Sequence, residues 1–117
     1  MMRSGIMYKQ RDIVLIPIPY TDLSSQKRRP VVIVSNDRYN NIFEDVVVVA
    51  VTSNLEAVKF SIPIENKDLD EGQLKVPSLI RPDKIYTLSK NIIIKKFGKV
   101  SKKIFERIKE SIDMIID

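Results

Sequence analysis

Asp12-Ile-Val-Leu-Ile-Pro-Ile-Pro-Tyr-Thr-Asp-Leu-Ser-Ser-Gln-Lys-Arg-Arg-Pro30, continued by Val31-Val-Ile-Val-Ser-Asn-Asp37, is the stretch on which the architecture of this chain turns. An apolar run enters a polar loop that ends in paired arginines, and a second apolar run follows at once. Short apolar runs bounded by turn residues read as buried strands. The loop between them carries guanidinium charge to the lip of a small β-domain, where a phosphate backbone could be gripped.

Outward from this pair the same pattern continues. Strands are expected over Asp12–Ile18, Pro30–Ser35, Asp45–Val51, Lys59–Ile64, Ser78–Lys84 and Asn91–Phe97, separated by Pro, Asn, Asp, Ser and Gly. The runs Val31–Val34 and Val46–Val51 are apolar without alternation, so both of their faces should be covered. In a small antiparallel protein that means a barrel, or a sheet closed by a helix. After Gly98 the period becomes helical: Ile104, Phe105, Ile108, Ile112 and Ile115 form one stripe, and Ser101 can cap the helix start. The polar segment Glu65–Lys75 reads as a mobile surface loop. The class is therefore α+β, mainly β, in a single domain spanning 1–117.

The composition narrows the chemistry. A chain of 117 residues buries roughly 65% of its unfolded surface. It has neither cysteine nor histidine, which removes disulfides, the usual zinc ligands and the commonest general base. No metal and no cofactor are expected, and any catalysis must come from carboxylates, Arg, Lys, Tyr, Ser or Thr. The excess of 20 Lys+Arg over 15 Asp+Glu suits a polyanionic partner, although a lysine-rich surface alone gives the same sign. The longest apolar run, Val46–Val51, is far short of the ~20 residues that cross a bilayer. With no apolar signal segment at the N-terminus, the chain reads as cytoplasmic.

Three places put reactive or anion-binding groups beside apolar strands. Lys27, Arg28 and Arg29 precede Pro30, and on a strand Arg28 and Arg29 face opposite ways, so one at most serves a given phosphate directly. A solvated basic turn has the same composition. Thr52 and Ser53 close the run Val46–Val51, placed either to cap a turn or to bind a phosphate oxygen. Arg81 and Asp83 flank Pro82 and share a strand face, as a plain ion pair or as a guanidinium and a carboxylate beside a ribose phosphate. Pro82 itself points to an edge or a strand end.

The ordered set Asp12-Ile-Val, Arg29-Pro30, Ser35-Asn-Asp37, Val51-Thr52-Ser53, Leu79-Ile-Arg81-Pro-Asp83-Lys-Ile-Tyr-Thr-Leu88 and Gly98-Lys-Val-Ser101 resembles the MazF/PemK/Kid toxin family over residues 9–116. Each motif is weak alone and the ordered set is specific. The resemblance implies an SH3-like small barrel of antiparallel strands with a C-terminal amphipathic helix, working as a homodimer. It implies a metal-independent, sequence-specific endoribonuclease acting on single-stranded RNA, and a cognate antitoxin with an acidic disordered tail as partner. Carried over by position, Arg29, Thr52, Arg81 and Asp83 are the catalytic candidates, with Asp83 as base, Arg81 as donor and Arg29 on the phosphate. Arg28, Ser53, Lys27, Tyr20 and Lys84 are the substrate-binding candidates, and Tyr20 and Phe60 the aromatics for base stacking. Recognition loops are expected at Pro19–Lys27 and Val58–Leu74. A non-catalytic nucleic-acid-binding module, a topoisomerase-poisoning toxin on the same barrel, or a purely structural barrel are the other readings.

The chain departs from the family pattern at three places. Arg11 stands where the family usually has glycine, Pro77-Ser78 replaces an acidic-Ser pair, and the first-loop histidine of some members is absent. Its role is empty or falls to Tyr20, Thr21 or Lys27.

Overall fold

Among the described residues, seven antiparallel strands form one curled sheet in the order β4-β6-β3-β2-β1-β7-β5. The structure is a computed structural model that describes residues 7–18, 27–56 and 58–117. Its strands are β1 (Asp12–Ile18), β2 (Lys27–Ile33), β3 (Asp45–Thr52), β4 (Ile62–Ile64), β5 (Leu69–Gly72), β6 (Ser78–Ser89) and β7 (Lys95–Val100). Helix α1 (Asp37–Ile42) lies between β2 and β3, and α2 (Lys102–Ile116) closes the chain. This is the expected mainly-β half-barrel with a C-terminal helix.

The sheet buries both faces, which explains the apolar runs that do not alternate. Val14, Ile16, Val31, Ile33, Val46 and Val48 share one face with Ile93, whereas Ile13, Val32, Val49, Val51 and Ile80 lie on the other. Against that second face α2 lays Ile104, Phe105 and Ile108. Each such side chain, taken fully out of water, contributes about 1.5–3 kcal/mol. Ser101 Oγ accepts the Ile104 N–H at 3.2 Å, satisfying one orphan donor of the helix start. The helical stripe stops short of its expected end, since Ile115 is exposed.

Several boundaries differ from expectation for local reasons. Strand β2 begins earlier, at Lys27, and leaves the sheet at Ile33, because the N–H groups of Val34 and Ser35 both turn to the Val47 carbonyl. Ser35-Asn36-Asp37 then opens a helix that the sequence did not announce. Asn36 Oδ1 accepts the Tyr39 N–H at 2.8 Å, and Ser35 Oγ accepts the Val47 N–H at 2.9 Å. The polar segment Glu65–Lys75 is an ordered edge, holding a 3-10 turn (Asn66–Asp68) and then β5 paired with β7. Strand β4 starts only at Ile62, because Phe60 takes φ +69° in the preceding turn and stays exposed. Strand β7 likewise starts only at Lys95, after a 3-10 turn at Lys90–Ile92.

Arg11 carries the strain that its replacement of glycine implies, with φ +81°. Its guanidinium donates to Asp70 Oδ2 and to the Val100 carbonyl, both at 2.9 Å, and these bonds offset the backbone cost. Next to it Asp12 is fully buried. Its carboxylate accepts the Lys9 N–H at 2.8 Å and lies 3.3 Å from Lys96 Nζ and 3.7 Å from Lys99 Nζ. The opening Asp12 is thus a strut between β1 and β7.

Candidate active site

Register brings the arginines together. In the β2–β3 ladder Val31 faces Ala50, so Arg29, two residues earlier, falls beside Thr52, two residues later. In the β3–β6 ladder Ala50 faces Arg81 and Thr52 faces Leu79. Arg29 and Thr52 therefore occupy one row, and Ala50 and Arg81 the next, all on the face that α2 does not cover. On ideal sheet spacing the Arg29 and Arg81 Cα atoms are about 12 Å apart, a span that two extended arginines close onto one phosphate. Arg28 alternates to the opposite face and is exposed.

Pro82-Asp83-Lys84 leaves the ladder as a bulge. The pairing jumps from Val49↔Ile85 to Ala50↔Arg81, so three residues of β6 have no partner on β3. Proline is tolerated there because its missing N–H removes no ladder bond, and β4 pairs only as far as Ile80. Pro82 thus marks a bulge within β6, beside a locally free edge, and not the end of the strand. The bulge aims Asp83 back at Arg81 in a bidentate fork, Nε to Oδ1 at 2.9 Å and Nη2 to Oδ2 at 2.7 Å. That fork holds the Asp83 carboxyl below the usual carboxylate range and raises Arg81. Both oxygens of Asp83 are engaged, so its first effect is to fix the guanidinium.

Beyond β3 the chain is set by two nested turns. Thr52 Oγ1 accepts the Asn54 N–H at 3.1 Å, and Asn54 Oδ1 accepts the Glu56 N–H at 3.0 Å. Thr52 therefore caps a turn and also faces the site.

These elements surround a cleft of about 840 Å³ that Arg29, Thr52, Arg81 and Lys84 line together. Its floor and walls include Ile16, Ala50 and Leu79. Asp83 sits behind Arg81 and outside the lining, as do the exposed Lys27, Arg28 and Ser53. Tyr20 lies outside the described residues. Phe60 is not part of the cleft; the aromatic that lines it is Tyr86, half exposed on β6. Asn54, Glu56 and Tyr86 were missed from sequence, the first two because they look like ordinary turn residues. The cleft is a cationic, partly apolar trough able to hold an anion between two guanidinium groups and an unpaired base on an aromatic ring.

The profile of the PemK-like, MazF-like toxin of type II toxin-antitoxin systems matches residues 9–116. The chain belongs to this toxin family. Among solved structures, a mycobacterial endoribonuclease in complex with its cognate antitoxin superposes with a TM-score of 0.76 at 19% identity, covering 93% of this chain and 94% of that one. MazF in a MazE–MazF complex from Deinococcus radiodurans gives 0.80 at 14% identity, over 96% and 97%. The toxin MazF-mt6 of Mycobacterium tuberculosis gives 0.74 at 20% identity, over 92% and 97%. At these identities the likeness shows the fold. Comparison with curated proteins gives no match. Among the described residues, no helix of this toxin-family chain is long and apolar enough to cross a membrane.

Proposed function

We propose that this toxin-family chain is a sequence-specific, metal-independent endoribonuclease that cuts single-stranded RNA and is neutralised by a cognate antitoxin in the cytoplasm. The observation that carries the reading is the convergence of Arg29, Thr52 and Arg81 on one cleft. The structurally similar mycobacterial protein is an endoribonuclease found with its antitoxin, which supports both halves of the proposal.

The nucleophile is on the substrate, so the protein's task is positioning, charge and proton transfer. The ribose 2′-oxygen forms a bond to the adjacent phosphorus while the bond from phosphorus to the 5′-oxygen breaks, leaving a 2′,3′-cyclic phosphate and a 5′-OH. Arg29 and Arg81 hold the non-bridging oxygens and stabilise the negative charge that builds on them, and the Thr52 hydroxyl orients the scissile group. For the 2′-OH proton to pass to Asp83, the Arg81–Asp83 pair must turn into the cleft when RNA binds, and solvent protonates the departing 5′-oxygen. Asp83 is a weak acceptor because its bonds to Arg81 lower its affinity for a proton, so its larger contribution is to hold that guanidinium in place. Lys84 adds attraction for the backbone at the rim.

A homodimer is part of the proposal. Ile85, Ile92 and Ile94 are exposed close together along the chain, and a second copy would cover them. The antitoxin's acidic tail would lie along the same cationic trough.

An RNA with a single 2′-deoxynucleotide at the cut position tests the chemistry. It should bind and stay whole at that bond while the all-ribo RNA is cleaved. A non-catalytic binding module, or a toxin that poisons a topoisomerase, would leave both RNAs intact.

A further inference from the structure

Among the described residues, one carboxylate lines an otherwise cationic cleft. Glu56 shares the cavity with Arg29, Arg81 and Lys84, and among the described residues nothing bonds or pairs with its side chain. A carboxylate there repels phosphate, so it suits a group that presents hydrogen-bond donors. Asn54 lines the same cleft, and its amide orientation is dictated by the chain: Oδ1 must face the Glu56 N–H, at 3.0 Å. The Asn54 NH₂ is therefore turned away from the loop, with no partner among the described residues. Its backbone N–H is in turn tied to Thr52 Oγ1, which anchors the pair to the end of β3.

Two residues apart and lining one cleft, these groups can together offer one donor and two acceptors. Among the RNA bases only guanine presents the complement on its Watson–Crick edge: the O6 acceptor, then the N1–H and N2–H₂ donors. Adenine puts one donor beside one acceptor, cytosine one donor beside two acceptors, and uracil flanks one donor with two carbonyls. We propose that Asn54 and Glu56 read a guanine in the RNA, Asn54 Nδ2 donating to O6 and the Glu56 carboxylate accepting from N1 and N2. Tyr86, on the cleft wall, gives the splayed base a ring to stack on. The inference rests on the ribonuclease reading and adds its specificity, with Glu56 as a base-reading residue separate from the phosphate-handling arginines.

The experiment incubates a randomised single-stranded RNA pool with the wild-type protein, Glu56→Gln and Asn54→Asp, and sequences the cut ends. Asn54→Asp keeps the acceptor for the Glu56 N–H and turns the donor aimed at O6 into a carboxylate oxygen that repels it. The wild type should require guanine at one fixed position, favoured by roughly 5- to 150-fold, as a bidentate base contact gives. Glu56→Gln should lose most of that preference while cutting RNAs with another base there as fast as the wild type does, and Asn54→Asp should weaken it. Inosine at the position, lacking N2, should cut roughly tenfold more slowly with the wild type, a penalty that Glu56→Gln reduces.

Wild-type cut sites without guanine, a fixed cytosine in its place, or a uniform loss of rate on all RNAs in Glu56→Gln would each overturn the inference. If the wild type cuts nothing, the ribonuclease reading fails, and the same pool recovered by filter binding decides the inference separately. Guanine enrichment that is lost in Glu56→Gln supports it, and its absence overturns it.

Discussion

Arg81 and Asp83 show how a two-residue spacing becomes a device. The fork needs a planar guanidinium with two parallel N–H groups, which an ammonium does not offer. Arg81→Lys should therefore fold normally and cut RNA roughly 10²- to 10³-fold more slowly, because one transition-state donor set is lost. Single-turnover cleavage at saturating protein measures this directly. The pairing also leaves a mark on stability. Asp83's carboxyl is held below its unfolded value by Arg81, so the pair stabilises the fold above about pH 4 and that contribution disappears as pH falls through the lower, folded value. Asp83→Asn should thus be slightly less stable than the wild type at pH 7, by no more than about 1 kcal/mol for a pair this exposed. Denaturant midpoints should converge in strong acid; a difference that persists there would contradict the assignment.

At the scale of elements, the caps carry measurable free energy. Ser101→Ala removes the acceptor for the Ile104 N–H and should destabilise the protein by about 1 kcal/mol in urea unfolding, through loosening of α2. Gly72→Ala should be worse, since φ there is +81° and an added Cβ would fall 2.0 Å from the Phe97 carbonyl oxygen, prising β5 from β7. Strand β1 and helix α2 were readable because long apolar periods mark them, period two blurring into two-sided burial and period 3.6 after Gly98. Helix α1 was not, because six residues are too few to show a period and its Ser-Asn-Asp start reads equally as a strand end. Strand β5 was hidden for a different reason: three of its four residues face water, so no alternation survives. In the cleft, Arg29, Thr52 and Arg81 stood out because charge and hydroxyls interrupt buried strands. Asn54 and Glu56 did not, since their placement depends on two turns whose bonds appear only in three dimensions.

For the whole molecule, the basic balance and the cationic cleft belong together. The net charge of +5 gives long-range attraction for a polyanion, and the two guanidinium groups convert it into local grip. Binding of an acidic antitoxin tail, dominated by such contacts, should weaken as salt is raised from about 50 to about 500 mM, as isothermal titration would show. Sedimentation should find a dimer at micromolar concentration, with Ile94→Lys shifting it toward monomer. The most direct measurement incubates the folded protein with a long single-stranded RNA in EDTA and determines the chemistry of the new ends, beside Arg29→Ala. Cleavage to 2′,3′-cyclic phosphate and 5′-OH ends, reduced roughly 10²- to 10⁴-fold in the variant, is the predicted result. RNA left whole by the wild type, or equal cleavage by Arg29→Ala, would contradict the claim that this cleft cuts RNA.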